Sequence, residues 1–145
     1  MKISTRGQNA IKLMLDLGTY YQGEPIKVKD IVRRQNISEK YLEQIISVLQ
    51  KAGLVKSIRR AHGGYILRFS PEEYTVGQIL KTVEGSMSPT DCVGERGTPC
   101  ENKATCVSFR LWEKLDRAIN DLLTGITLAD MPDWQREIMA DQYVI

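Results

Sequence analysis

Two helical patterns lie back to back between residues 28 and 52, and they constrain the fold more than any other feature of the 145 residues. Apolar residues recur at helical spacing from Val28 to about Gln35. After a brief Asn36-Ile37 turn they recur along SEKYLEQIISVLQKAG, with a predicted buried face of Leu42, Ile45, Ile46 and Leu49. Ser38 is a plausible N-cap of the second helix and Gly53 supplies its stop. The pattern predicts a helix-turn-helix unit.

The residues around this unit complete a larger domain. The β-prone runs LVKSI and YILRF flank the turn Ala61-His62-Gly63-Gly64, which is typical of a β-hairpin. A helix is predicted before the unit, from Ser4 to about Tyr21, and another follows the hairpin, with Thr75 as N-cap and Gly85 as stop. The predicted fold is mainly α with a small β wing, and residues 1–85 form a winged helix-turn-helix DNA-binding domain.

The chain after Gly85 divides into three further segments. Residues 86–106 show no periodicity and form a predicted loop, which carries all three cysteines. Residues 106–131 are predicted to form a long amphipathic helix and a last helical turn or two capped by Thr127. The apolar face of the long helix is expected to pair with a second subunit through Leu111, Trp112, Leu115, Ala118, Ile119 and Leu122. The tail, residues 132–145, is expected to be loosely ordered after Pro132.

Charge is divided unevenly along the chain. Residues 1–70 hold 13 Lys and Arg against 5 Asp and Glu, a net charge of +8, whereas residues 71–145 hold 7 against 13, a net charge of −6. The basic half favours a polyanion as partner. The absence of a run of about 18 apolar residues and of a signal-peptide core predicts a cytosolic protein without a membrane span. No nucleophile–base pair, phosphate-cradling loop or catalytic carboxylate pair is recognisable, so the chain is predicted not to be an enzyme.

The second helix of a helix-turn-helix unit enters the major groove with its N-terminal residues at the base edges. We therefore expect DNA contacts from the residues on its outer side, which are Ser38, Lys40, Tyr41, Glu43 and Gln44. The hairpin turn is narrow enough for the minor groove, where cations favour A·T-rich DNA. The predicted contacts there are Arg59, Arg60 and His62. The alternative for both sets is an ordinary solvated surface.

The three cysteines lie in the stretch DCVGERGTPCENKATC with the spacing C-x7-C-x5-C. Clustered thiols in a reducing compartment favour metal binding or redox chemistry over disulfides. Thiolates are the usual ligands of iron–sulfur clusters. A zinc site is also open, although the C-x2-4-C pairs typical of structural zinc are absent. A third possibility is a thiol redox switch without metal, for which Arg96 and Lys103 would supply nearby cations.

Four segments of the sequence together resemble the Rrf2 family of bacterial transcription regulators, of the IscR, RirA, NsrR and CymR types. They are MKISTRGQ, SEKYLEQIISVLQKAGLVKSIRRAHGGYIL, TVGQILKTVEG and LWEKL…ITLADM. The resemblance covers nearly the whole chain, to about Met131. The N-terminal half of the chain is similar to that of the CymR type. It implies a homodimer that binds double-stranded DNA at a palindromic operator, with the long C-terminal helix crossing between subunits.

The resemblance also implies an iron–sulfur cluster held by Cys92, Cys100 and Cys106, with 2Fe–2S favoured over 4Fe–4S. The histidine that IscR-like proteins carry three positions after the third cysteine is Phe109 here, and the N-terminal aspartate of NsrR-like proteins is matched by Gln8. The fourth ligand stays open between Asp91, Glu101, an exogenous thiol, water and a partner side chain. The expected function is a cluster-sensing regulator that represses transcription. The alternative is a thiol- or partner-regulated repressor of sulfur or cysteine metabolism without a cluster.

Overall fold

The fold is known from a computed structural model that describes residues 2–95 and 100–143. Its helices are α1 Thr5–Tyr20, α2 Val28–Gln35, α3 Glu39–Lys51, α4 Val76–Glu84, α5 Val107–Gly125 and α6 Met131–Tyr143. Strands β1 Val55–Ile58 and β2 Gly64–Leu67 pair antiparallel, and Pro71–Glu73 forms a single 3₁₀ turn before α4. This order confirms the prediction of a mainly α protein with a small β wing. None of the helices in the described ranges is both long and apolar enough to cross a membrane.

The helix-turn-helix unit forms at the predicted residues because its ends are capped as the sequence indicates. Asn36 takes the left-handed conformation, with φ of 53°, and ends α2. The Ser38 hydroxyl accepts a hydrogen bond from the Tyr41 N–H at 3.3 Å and so caps α3. Gly53, with φ of 77°, follows the C-cap of α3, where a glycine avoids the strain of a Cβ atom. The predicted bounds of both helices are confirmed.

The wing, residues 59–63 between β1 and β2, is closed by its neighbours as well as by its own turn. Gly63 N–H donates to the Arg60 carbonyl at 2.9 Å. Ile26, ahead of α2, pairs with Tyr65 of β2 through hydrogen bonds of 3.0 and 2.9 Å, so the hairpin has a short third edge. A Cβ atom on Gly64 would lie 2.3 Å from the Ile26 carbonyl oxygen. The φ of Gly64 is not positive, so the turn conformation does not demand a glycine here. The close approach of Ile26 is what requires one.

One apolar core holds α1 to α4 and the base of the hairpin together. Its fully buried members are Ala10, Leu13, Met14, Leu17, Ile31, Leu42, Ile45, Ile46, Leu49, Val55, Tyr74, Ile79 and Leu128. The C-terminal end of α5 is tied to this domain: Gly77 lets α4 approach Leu123 closely, and the Val76 N–H donates to the Ile126 carbonyl at 2.9 Å. The long helix therefore leaves the winged domain from a fixed base.

The prediction of a loosely ordered tail after Pro132 is wrong for the residues up to Tyr143, because they belong to α6, Met131–Tyr143. Thr127 does not cap a short helix directly. Its N–H and hydroxyl donate to the Asp130 carboxylate at 2.8 and 3.1 Å, and this closes a turn before α6. Pro132 is compatible with the helix since it lies in the first turn, where the missing N–H costs no hydrogen bond.

Candidate nucleic-acid interface and cysteine loop

The outer side of α3 presents polar side chains as predicted, with one correction. Ser38, Lys40, Glu43 and Gln44 are exposed at the N-terminal end of the helix. Tyr41 is instead half-buried and its ring packs against the core. Tyr41 is therefore less free to face a ligand than predicted, because its position also borders the apolar face that seats α3.

A buried ion pair that the sequence reading missed fixes α2 to α1. The Asp16 side chain is 0% exposed and receives hydrogen bonds from Arg34 Nε at 2.9 Å and Arg34 Nη2 at 2.8 Å. Gln35 Nε2 donates to the same carboxylate at 2.9 Å. The hydrogen bond with Asp16 raises the pKa of Arg34, whose guanidinium also lies 4.2 Å from the centre of the Tyr20 ring. The only sequence signal was an aspartate among the apolar positions of α1.

The wing carries the predicted cations at its tip. Arg59, Arg60 and His62 are all exposed in the turn that joins β1 to β2. None of the three has an ion-pair partner within 4.0 Å in the described part of the chain. The charges of Arg59 and Arg60 are therefore available to a polyanion next to this turn, and the His62 ring lies beside them.

The base of the wing is anchored by Tyr74, a residue for which the sequence gave no signal. Its hydroxyl donates to the Leu54 carbonyl at 2.7 Å and accepts from the N–H groups of Arg68 and Phe69, each at 3.0 Å. The residue is 1% exposed, and burial raises the pKa of the Tyr74 hydroxyl. One buried side chain thus joins both ends of the hairpin to the start of α4.

The predicted dimerisation face of α5 is largely open in the single chain. Leu111 is 57% exposed, Leu115 41% and Leu122 63%, and Ala118 is exposed as well. Trp112 and Ile119 are half-buried at the edge of this face. A contiguous apolar stripe of this kind on a long helix is typical of an interface.

The structure does not gather the three predicted cysteine ligands. Cys92 is half-buried, with Thr90 Oγ1 3.1 Å from its sulfur, Cys100 is exposed, and Cys106 is half-buried at the start of α5. Within residues 2–95 and 100–143, no three Cys, His, Asp or Glu side chains are close enough to hold one metal ion. The thiols have the chemistry that a cluster needs, but the described loop conformation keeps them from forming one site. Arg96, a predicted neighbour of the thiols, lies outside the described residues.

The Cys106 thiol lies in a polar environment at the start of α5. Its sulfur lies 3.2 Å from Ser108 Oγ. Hydrogen bonds from the Ser108 side chain and then from the Phe109 N–H lower the pKa of the Cys106 thiol. The residue is also the N-cap of the 19-residue helix α5, where the helix dipole favours a negative charge.

Phe109 stands where the family resemblance would allow a histidine ligand, and the structure uses it for packing. Its side chain is 7% exposed, and Lys103 Nζ lies 4.9 Å from the centre of its ring. Lys103 therefore covers this ring. The candidate fourth ligands Asp91 and Glu101 are both exposed.

Comparison with known proteins decides the family. A family model described as "Rrf2: Iron-dependent Transcriptional regulator" matches residues 3–133. The chain belongs to the Rrf2 family. The predicted resemblance is thereby confirmed, and the chain is a transcriptional regulator of this family. Its relatives are regulators and not enzymes, in agreement with the non-enzyme prediction.

Relatives of two types lie at similar distances from this Rrf2 protein. The HTH-type transcriptional regulator IscR of Aliivibrio salmonicida is 40% identical over 131 residues, which are 90% of this chain and 77% of that protein. The structure of CymR, described as the global cysteine regulator of B. subtilis, matches with a TM-score of 0.75 and 37% identity, over 92% of this chain and 98% of that chain. The structure of T. potens IscR matches with a TM-score of 0.75 and 38% identity, over 95% and 90%. These likenesses confirm the winged-helix fold but do not separate the two types.

Proposed function

We propose that this Rrf2 protein is a homodimeric repressor that reads a palindromic operator with α3 and the wing and responds to an iron–sulfur cluster held by its cysteine loop. The observation that supports the DNA-binding role is that an exposed polar helix end and an exposed cationic turn belong to the same winged domain. We place its action in the cytosol, where the bacterial chromosome lies.

Each exposed side chain of α3 suits a particular contact. Gln44 is expected to bind adenine in a bidentate manner and Glu43 to accept from a cytosine amino group. Lys40 and Ser38 are expected to contact phosphates or guanine, although the Ser38 hydroxyl also caps the helix. Tyr41 packs on the core, and it contributes to DNA binding mainly by holding α3 in position on the domain.

Operator selection followed by binding measurements tests these roles. Gln44→Ala should weaken binding and relax preference at one base position by about 1–3 kcal/mol, because a bidentate base contact is lost. Arg59→Ala should weaken binding most on sites with A·T-rich flanks. Gln135→Ala and Arg136→Ala on α6 are matched controls that should leave affinity unchanged. Equal losses for test and control variants would contradict the assignment of α3 and the wing.

The proposed dimer forms through the open face of α5. Burying a leucine side chain is worth about 1.5–3 kcal/mol, so the three exposed leucines at 111, 115 and 122 offer a substantial driving force. Leu115→Asp and Leu122→Asp should each shift the protein from dimer to monomer in sedimentation equilibrium. Arg117→Asp, an exposed position elsewhere on α5, is the matched control and should stay dimeric. A monomeric wild type, or a dimer that survives Leu115→Asp and Leu122→Asp together, would contradict this interface.

Three features support a cluster in the loop. The three thiols lie in one loop, the pKa of Cys106 is lowered, and the family model is described as iron-dependent. Cys92, Cys100 and Cys106 would be the ligands, and a bound cluster would supply a centre sensitive to iron and redox state. Because the described loop does not gather these thiols, loading is expected to reorganise residues 86–106.

Iron and acid-labile sulfide content of anaerobically purified protein tests the cluster. We expect both elements together with sulfide-to-iron charge-transfer absorption, and their loss when Cys92, Cys100 and Cys106 are all replaced by alanine. A Mössbauer spectrum then assigns 2Fe–2S, which we favour, or 4Fe–4S. A colourless protein that holds stoichiometric zinc would contradict this part of the proposal.

A second candidate, thiol regulation without a cluster, is favoured by one observation. The lowered pKa of Cys106 gives this thiol more thiolate character at neutral pH. The likeness to CymR, which is described as a cysteine regulator, is in keeping with thiol regulation. In this case peroxide should change operator affinity of metal-free protein, and Cys106→Ser should remove the effect. No response of metal-free wild type to peroxide would exclude the thiol mechanism.

A further inference from the structure

A cleft of about 600 Å³ lies between α4, the loop after Gly85, and α5. This volume is within the range of about 300–1,000 Å³ typical of small-molecule sites. The cleft borders three functional parts of the molecule: the winged domain through Lys81, the cysteine loop through Met87 and Gly94, and the dimerisation helix through Asp116. A ligand here would touch all three.

The α5 side of the cleft is polar where a packing face would be apolar. Asp116, Asn120 and Thr124 recur every four residues and so form one stripe, which faces α4 across the cleft. At 100° per residue this stripe lies on the other side of α5 from Leu111 and Leu115. The stripe is therefore separate from the proposed dimerisation face of the same helix.

The stripe presents acceptors. Asn120 Nδ2 donates to the Asp116 carbonyl at 2.9 Å and to Asp116 Oδ2 at 3.2 Å, so its amide oxygen is left to accept. The Thr124 hydroxyl donates its proton to the Asn120 carbonyl at 2.8 Å. Asp116 Oδ1 is itself buried and has no hydrogen-bond partner among the described residues, so a ligand in the cleft would meet this oxygen through its charge and not through a direct contact. A buried carboxylate oxygen without a partner is costly, which favours an added positive or donor group at this stripe.

The α4 side of the cleft presents donors. Lys81 lies in the last turn of α4, and no carboxylate of the described residues lies within 4.0 Å of its ammonium group. Gln78, one turn earlier on α4, adds an amide to the same wall. An ammonium group with a neighbouring amide suits a carboxylate.

We propose that this cleft binds a small zwitterion of the amino-acid class. The ligand's ammonium group is held by the Asp116–Asn120–Thr124 stripe, and its carboxylate is held by Lys81. Glu95, at the loop side of the cleft, adds a second carboxylate near the ammonium group. Neither the DNA contacts nor the cysteine ligands of the proposed function are needed for this binding.

Isothermal titration calorimetry of the full chain, in its cluster-free form and without DNA, against the proteinogenic L-amino acids tests the site. We expect saturable binding of at least one of them, weakened at least tenfold by Lys81→Met and by the isosteric Asp116→Asn, and unchanged in Lys12→Met, an exposed lysine of α1 outside the cleft. Circular dichroism of each variant checks that it is folded. The N-acetyl derivative and the methyl ester of the best binder should each bind at least tenfold more weakly, because each lacks one charge.

Three results would overturn the proposal. The first is that no amino acid binds. The second is binding that is unaffected in the folded Lys81→Met and Asp116→Asn variants, which would place the ligand elsewhere. The third is a methyl ester or N-acetyl derivative that binds as tightly as its parent, which would refute recognition of a zwitterion. Since calorimetry uses no operator, failure here is distinguishable from failure of the DNA-binding proposal.

Discussion

Removing the Arg34 guanidinium should destabilise the protein strongly, because it leaves a buried carboxylate uncompensated. Asp16 is 0% exposed and takes two of its three hydrogen bonds from Arg34. The change Arg34→Met keeps an aliphatic side chain at this position but leaves only Gln35 to donate a hydrogen bond to the carboxylate. Breaking one side of a buried ion pair costs about 3–5 kcal/mol. This is a large share of the roughly 5–15 kcal/mol by which domains are usually stable.

The neighbouring Arg33 offers a matched control. It also pairs with an aspartate, Asp30, at 3.3 Å, but its side chain is 76% exposed and that of Asp30 43%. Exposed pairs of this kind contribute about 0.2–1 kcal/mol. The double change Asp16→Asn/Arg34→Met removes the buried charge together with its partner, so it should recover much of the stability that Arg34→Met loses.

Urea unfolding followed by far-ultraviolet circular dichroism, at one fixed protein concentration, measures these differences. With a slope of about 2 kcal/mol per molar urea, Arg34→Met should lower the midpoint by about 1.5–2.5 M. Arg33→Met should lower it by no more than about 0.5 M. The reasoning is refuted if the two single variants unfold within error of each other. It is also refuted if the double variant is as unstable as Arg34→Met.

Three further predictions concern the hairpin. Tyr74→Phe removes three hydrogen bonds at the base of the wing and should cost about 2 kcal/mol, or about 4–8 °C in Tm, whereas Tyr65→Phe, whose hydroxyl makes no hydrogen bond in the described residues, should change Tm little. Since burial raises the pKa of Tyr74, the protonated form is favoured by folding, and stability should fall more steeply above about pH 10 in wild type than in Tyr74→Phe. Gly64→Ala should displace Ile26 and weaken operator binding measured by fluorescence anisotropy, because the new Cβ would meet the Ile26 carbonyl at 2.3 Å. Gly125→Ala has open space and should leave both fold and binding intact, and a Gly64→Ala protein with wild-type affinity would contradict the role given to that contact.

The helices were predictable because their signals are local. Ser38 and Gly53 bracket α3, and the caps found in the structure are those that the sequence indicates. Pro132 led to the wrong prediction of a loosely ordered tail, because proline usually ends a helix. In the first turn of α6, however, its missing N–H costs no hydrogen bond. Local patterns thus fix where elements lie, except where one residue type has two structural meanings.

The long-range contacts were not predictable from the sequence in this way. Asp16 and Arg34 belong to different helices, and no pattern in either helix indicates that these two residues pair. The same holds for position 64, where the close approach of Ile26, and not a turn conformation, requires a glycine. For the cysteine loop, the spacing identifies three clustered thiols but not their arrangement, since the sequence of residues 86–106 has no periodicity.

Operator affinity of the cluster-loaded and cluster-free protein, measured on the same selected operator at one salt concentration, tests the central claim most directly. Coupling between two sites is typically about 1–3 kcal/mol, so we predict that the two forms differ in affinity by about 5–150-fold. Protein in which Cys92, Cys100 and Cys106 are alanine should give a single affinity whether or not reconstitution is attempted. Equal operator affinities for the loaded and cluster-free wild-type forms would contradict a cluster-responsive regulator.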